Sequence, residues 1–211
     1  MGKTAQSAAL ILVFVAISVW TQTNKKKQIL YTKPNQSVDL DAANLSTAKQ
    51  ECENWALAAG LETLLKRQDV SLDQSYWVIR VFGGELCVPD SPPAIEAFAK
   101  IMNNEFVLDD RRHVRLELRF SSGAPTNTDA LIYGLKQQQL SLVLLRGHPY
   151  YLTGATFDEQ IGRDGSRMFI IRELRLANTY AKQPAITFEN GKDNVEDIQG
   201  IISVNVAAAS Q

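Results

Sequence analysis

The sequence predicts an α+β fold, with an N-terminal helical half packed on a C-terminal, mostly antiparallel β-sheet. Three observations predict it. Helix formers with helical apolar spacing dominate residues 54–103. Short runs rich in branched and aromatic residues, separated by Gly, Asp and Asn, dominate residues 113–206. The chain has 211 residues, the size of one domain with a full core. Helices before strands, rather than alternating with them, point away from a parallel α/β sheet.

The elements follow in order. Asn54 to Lys66 is the strongest helix signal. Trp55, Ala58, Ala59 and Glu62 share one face, and Leu57, Leu61, Leu64 and Leu65 another. Apolar residues nearly all round mark a buried helix. Ser71 reads as the N-cap of a second helix, Leu72 to Phe82, which Gly83-Gly84 ends. Ser91 and Pro92-Pro93 open a third helix that runs to about Asn103. In "HVRLELRF" Val114, Leu116, Leu118 and Phe120 alternate with charged residues, as in a half-buried strand. "SSGAPTNT" is loop, and Asp129 to Gln138 is a fourth helix. "LSLVLL", "YYLTGATFD", "RMFIIRELRLAN", "AITFE" and "IISVNV" read as strands.

The ends of the chain carry different signals. Met1-Gly2-Lys3, an apolar run from Ala8 to Trp20, and Ala16-Ile17-Ser18 make residues 1–20 read as a secretory signal peptide. The run is short for a membrane span, which needs about 20 residues. Lys25, Lys26 and Lys27 follow it, a charge order that keeps a membrane anchor through residues 8–20 as the alternative. Either way the domain is expected to be exported. Residues 21–47 are polar and read as a linker into a domain spanning 48–206.

The net charge of −1 gives no basis for a nucleic-acid partner. Two histidines and two cysteines are a poor supply for a protein metal site, and no metal or other cofactor is expected. Asp193, Glu196 and Asp197 read as an exposed acidic loop rather than as ligands. Oligomeric state leaves no signature in the sequence.

A thiol, an imidazole and an amide remain, in a telling order. Cys52 stands at the start of the buried helix, where the partial positive charge of a helix N-terminus lowers a thiol pKa. His148 lies between two strands, and Asn178 ends the next, where its amide can fix an imidazole tautomer. The segments "CENWALAAGLETLL", "VSLDQSYWVIRVFGG", "LVLLRGHPYYLTGATFD" and "ELRLANTY" occur in an order and spacing that resembles the papain-like and bacteriocin-processing-like cysteine peptidases. The resemblance covers about residues 48–206 and implies a papain-like fold with a cleft between the two halves. It implies Cys52 as nucleophile, His148 as general base and Asn178 as its orienter, acting on peptide or acyl bonds of a peptide or protein substrate.

The chain departs from that family at the nucleophile. The family has Cys immediately before Trp-Ala, and here Asn54 fills that slot, in "NWA". The family's oxyanion-holding Gln, six residues earlier, has no counterpart: Ser46 precedes Cys52 by six and Ala48 precedes Asn54, while Gln50 is out of register. Pro149 follows the histidine directly. Cys52 therefore has two readings. One is a nucleophile of a weakly active or inactive peptidase-type protein. The other is a disulfide with Cys87, as an even cysteine count in an exported chain invites. The second makes the domain a non-catalytic binding module on a peptidase fold.

Overall fold

The computed structural model of the chain describes residues 29–41, 45, 47–85, 87, 92–179 and 184–209. The signal-peptide or anchor segment 1–20 and Lys25 to Lys27 lie outside the described residues. The architecture is α+β: four helices and one antiparallel sheet of eight strands among the described residues. The helices are α1 (Ala56–Lys66), α2 (Gln74–Phe82), α3 (Pro92–Met102) and α4 (Thr128–Lys136). The strands are β1 (Ile29–Asp39), β2 (Glu105–Val107), β3 (His113–Ser122), β4 (Leu142–Leu145), β5 (His148–Gly162), β6 (Arg167–Asn178), β7 (Ile186–Glu189) and β8 (Ile198–Ala208). Strand order is β2-β3-β8-β4-β5-β6-β7, with β1 also paired to β5. Among the described residues no helix is long and apolar enough to cross a membrane.

One segment corrects the sequence reading. Residues 21–47 read as a linker, yet β1 lies within them and pairs with the far half of β5, from Ile29 opposite Gly162 to Asp39 opposite Gly154. The strand is exposed along nearly its whole length, so it carries no inside–outside alternation to be read. Pro34-Asn35 interrupts its register, with Asn35 at φ 52°. Arg175 of β6 holds it, with Nε 2.6 Å from Asp39 Oδ1 and Nη2 2.9 Å from Ser37 Oγ. Gly154 lets this happen, since a Cβ there would collide with the Asp39 carboxylate and the Arg175 guanidinium.

Helix ends also differ in detail. Asp73, not Ser71, caps α2, accepting from Tyr76 N–H at 2.8 Å. Gly83 ends that helix in the left-handed region, at φ 78°. Asn127 caps α4, accepting from Ala130 N–H at 3.0 Å.

Helix α1 is the axis of the core. All but its last residue are buried. It lies against the middle of the sheet, where Gly60 allows close approach: a Cβ there would stand 2.8 Å from Leu142 Cδ1. Tyr151 of β5 donates its hydroxyl to Thr63 Oγ1 at 2.8 Å. Just past the helix, Gln68 bonds both Val204 O and Val206 N–H of β8, at 2.9 and 3.1 Å. These three contacts fix the helix direction. Its carboxyl end lies toward Val204 and Val206, and its amino end runs toward the opposite end of β8, where Ile198 pairs with Leu145.

Candidate functional site

Leu145 also pairs with His148 across a two-residue turn, so the amino end of α1 and the β4–β5 hairpin point to the same end of the sheet. Arg146 (φ 51°) and Gly147 (φ 79°) form that turn, both in the left-handed region a tight hairpin demands. The turn is pinned from β8. Arg146 Nη2 lies 2.6 Å from Asp197 Oδ2, Arg146 N–H donates to Asp197 O at 3.0 Å, and Gly147 N–H donates to Gln199 Oε1 at 2.6 Å. The acidic loop of the sequence analysis is thus partly a hairpin brace. Asp193 instead closes the turn after β7, accepting from Glu189 N–H at 2.7 Å. No group of three His, Cys, Asp or Glu able to hold a metal ion occurs among the described residues.

His148 starts β5 and Asn178 ends β6. Asn178 pairs across the strands with Tyr150, two residues from His148, so all three side chains share one side of the sheet. The His148 Nε2 lies 3.1 Å from Asn178 Oδ1. A carbonyl oxygen only accepts, so in the neutral imidazole Nε2 carries the proton and Nδ1 the lone pair. Asn178 is buried. The ring of Tyr150 stands edge-on to the imidazole, with centroids 4.8 Å apart.

Thr179 joins this pair and had no signal in the sequence. Its Oγ1 is 3.4 Å from the same Nε2 and donates to Pro149 O at 3.2 Å. It is 1% exposed, so the imidazole edge that faces the protein is dry. The helix body packs on the other side of the sheet, where Tyr151 and Leu142 point. The imidazole and the start of α1 can therefore meet only around the hairpin end of the sheet.

Cys52 offers the His148 cluster no free thiol. It is joined to Cys87 in a disulfide, with Cα atoms 6.0 Å apart. A bonded sulfur has no thiolate to attack with, so the structure shows Cys52 in its disulfide role. Asn54 is exposed at the turn that leads into α1, and its N–H lies 3.5 Å from Cys52 Sγ. Gln50 is equally committed. Its Nε2 donates to Cys52 O at 2.8 Å and to Glu53 O at 2.6 Å, so this amide, already out of register for an oxyanion donor, closes the turn.

Gln74 anchors this turn and also escaped the sequence reading. Fully buried, it donates through Nε2 to Lys49 O at 2.7 Å and to Glu62 Oε2 at 2.9 Å, and accepts from Glu51 N–H at 3.2 Å. It ties the segment before α1 to α1 and α2 at once. Burial first, then Glu62, Asp73 and Glu85, pushes the Glu51 carboxyl above the usual carboxylate range.

A cavity of about 560 Å³ opens between the loop before α4 and strands β6 and β7, lined by Asn127, Met168, Phe169, Leu174 and Phe188 among others. Leu174 lies four residues from Asn178 on β6, on the same side of that strand.

No family model, no curated protein and no solved structure matches this chain.

Proposed function

We propose that this chain is an exported, non-catalytic binding domain of papain-like architecture, which takes a peptide or protein segment and does not cleave it. One observation carries the reading: a His148–Asn178 pair built as in a thiol peptidase stands without a thiol, because Cys52 is bridged to Cys87. Three facts support it. Asn54 occupies the slot immediately before Trp55-Ala56, and an amide is no nucleophile for peptide hydrolysis. The Gln50 amide is committed to backbone carbonyls. The cavity beside Leu174 offers an apolar lining with a few polar groups, as binding sites for peptide side chains do. The bridge itself fits an oxidising compartment, in line with the signal-like residues 1–20.

The test has two parts on the full chain. Thiol titration in denaturant without reductant should find no free thiol. Incubation with a diverse peptide mixture, with and without a mild reductant, should leave every peptide intact by mass spectrometry while a subset is retained by the protein. Cleavage that disappears in Cys52→Ser overturns the reading. It would support the competing one, a peptidase in which opening the bridge frees Cys52, which the intact His148–Asn178 pair favours.

A further inference from the structure

Strand β6 has one open edge. On one side Arg167 to Ile171 pair with Ile161 to Phe157 of β5, and at the turn Gly162 N–H donates to Ser166 O at 2.8 Å. On the other side β7 pairs only with Glu173 to Leu176. Asn190 ends that row, donating through its N–H to Arg172 O at 2.8 Å and through Nδ2 to Ile171 O at 3.1 Å. Backbone groups alternate sides along an antiparallel strand. Ser166 turns its carbonyl toward β5 and Ile171 turns its own away, so Arg167 and Phe169 also turn their N–H and C=O away from β5. Among the described residues no strand meets those groups. Phe169 is 2% exposed, so little water takes the place of the missing partner. A shielded backbone group left unpaired costs about as much as a lost hydrogen bond.

The cavity of about 560 Å³ lies along this edge. Every residue from Arg167 to Ile171 lines it. Side chains of a strand alternate between faces, so a cavity that touches each of them in turn borders the edge and not one face alone. Phe169 faces α4, its ring edge-on to Tyr133 with centroids 5.6 Å apart, and forms an apolar floor. Met168 and Val195, 44% and 46% exposed, stand at the rim. Strand β7 shows what a chain in this row does. Its Phe188 lies opposite Leu174, and both are buried and line the cavity.

Donors and acceptors repeated at every second residue match the backbone of another strand, and a small molecule would meet one such residue at most. Nucleic acid needs free cations, whereas Arg167 is engaged by Glu159 at 3.2 Å and Asp129 stands in the lining. We propose that an extended peptide adds to the sheet beside Arg167–Ile171, antiparallel to β6 and in line with β7. The stretch is roughly 13 Å long at ordinary strand rise. In an antiparallel pair the residue opposite Phe169 exchanges both backbone bonds with it and points its side chain to the same face. That side chain enters the cavity above Phe169, so the site takes an apolar residue there and leaves its two neighbours on the outer face. The inference rests on the reading of the domain as a peptide binder and names the strand edge as its means.

The probe is a mixture of short acetylated, amidated peptides in which threonine alternates with phenylalanine, leucine or isoleucine. Peptides retained by the full chain, labelled with nitrogen-15, should slow amide exchange severalfold at Arg167 and Phe169 and leave Met168 and Ile170, which face β5, unchanged. N-methylation of the apolar residues of a retained peptide should weaken its binding at least about tenfold, as the loss of a hydrogen bond with its partner left unpaired does. N-methylation of its threonines should not. Arg167→Pro removes one outward N–H without touching the β5 ladder and should weaken binding by a similar factor, while Arg167→Ala keeps that N–H and the binding. Binding that leaves the Arg167 and Phe169 amides unchanged, or that both methylations weaken equally, overturns the edge while the domain stays a peptide binder. Retention of no peptide from this mixture overturns it too, and a diverse peptide mixture then decides the wider reading by itself. Cleavage of a peptide that protects these amides removes the non-catalytic reading and leaves the edge. Protection that rises with protein concentration in the absence of peptide assigns the edge to a second copy of the chain and overturns the proposal.

Discussion

The imidazole of His148 is held by Asn178 across two neighbouring strands, Nε2 to Oδ1 at 3.1 Å, with Thr179 closing the same edge at 3.4 Å. The hairpin that presents His148 is braced separately, through Arg146 and Asp197. Orientation and position of the ring thus depend on different residues, and they can be perturbed one at a time.

The first prediction concerns the tautomer. Nitrogen-15 shifts of the imidazole at neutral pH or above should show His148 protonated at Nε2. Asn178→Ala should turn it into a mixture of tautomers, while the loss of one hydrogen bond lowers stability by only about 1 kcal/mol. Asp197→Ala should leave the tautomer unchanged and instead loosen the hairpin amides in hydrogen exchange. A wild-type ring protonated at Nδ1 would show that the pair is not the one described.

The second prediction concerns the bridge. Cys52 and Cys87 enclose 34 residues. Closing a loop of that size in the unfolded chain is worth about 3–4 kcal/mol in the chain-entropy account. Cys87→Ser and Cys52→Ser should each lower unfolding free energy by about that amount, and the double variant by no more than either alone. Denaturant melts check this. Additive losses would mean that the sulfurs contribute separately rather than as a bond.

How far such features can be read from sequence depends on what kind of order each leaves there. Strand β3 was legible because Val114, Leu116 and Leu118 are buried while Arg115 and Arg119 are not. Strand β1 was not, because it is wet on both sides and Pro34 sits inside it. Strand β2, with three residues, is too short to show a period. The His148–Asn178 pair could be anticipated from chain order, since His148 starts one strand and Asn178 ends the next. Thr179 and Gln74 could not, because a buried polar residue has no periodic signature and is explained only by the partners folding brings to it. For Cys52 the sequence left two chemistries open, and only the position of Cys87 chooses between them.

The third prediction is a pH dependence at β1. Asp158 accepts from Arg172 at 2.6 Å and, through its other oxygen, from Asn35 N–H at 3.1 Å, at the point where β1 breaks register. The Arg172 hydrogen bond first, then the Asn35 N–H, holds its carboxyl below the ordinary range. A carboxyl with a depressed folded pKa stabilises the fold above its unfolded pKa, and that contribution is lost as pH falls toward the folded value. Amides of β1 should therefore lose protection as pH falls below about 4, the ordinary aspartate value, relative to those of β4 and after correction for intrinsic rates. Asp158→Asn should remove this difference. Protection that falls equally in both proteins would place the acid-sensitive group elsewhere.

The last prediction restores a thiol at the position the resemblance assigns to it. Asn54 is exposed at the turn into α1, and the amino end of that helix runs toward the hairpin that carries His148. If the two meet around the end of the sheet, a sulfur at position 54 feels both the helix terminus and the imidazole lone pair on Nδ1. Asn54→Cys, with the Cys52–Cys87 bridge intact, should then be alkylated at pH 6 at least about tenfold faster than an ordinary thiol, whose pKa is about 8.5. Adding His148→Ala should remove most of that gain and leave only the helix contribution, which separates the two causes. Peptide hydrolysis should still be absent or very slow, because the Gln50 amide is bonded to Cys52 O and Glu53 O and offers no oxyanion donor. A missing donor of that kind costs roughly 2.7–4 kcal/mol of barrier. Alkylation that follows an ordinary thiol titration and ignores His148 would mean that the two halves do not share a cleft, and the peptidase likeness would then extend no further than the order of the segments.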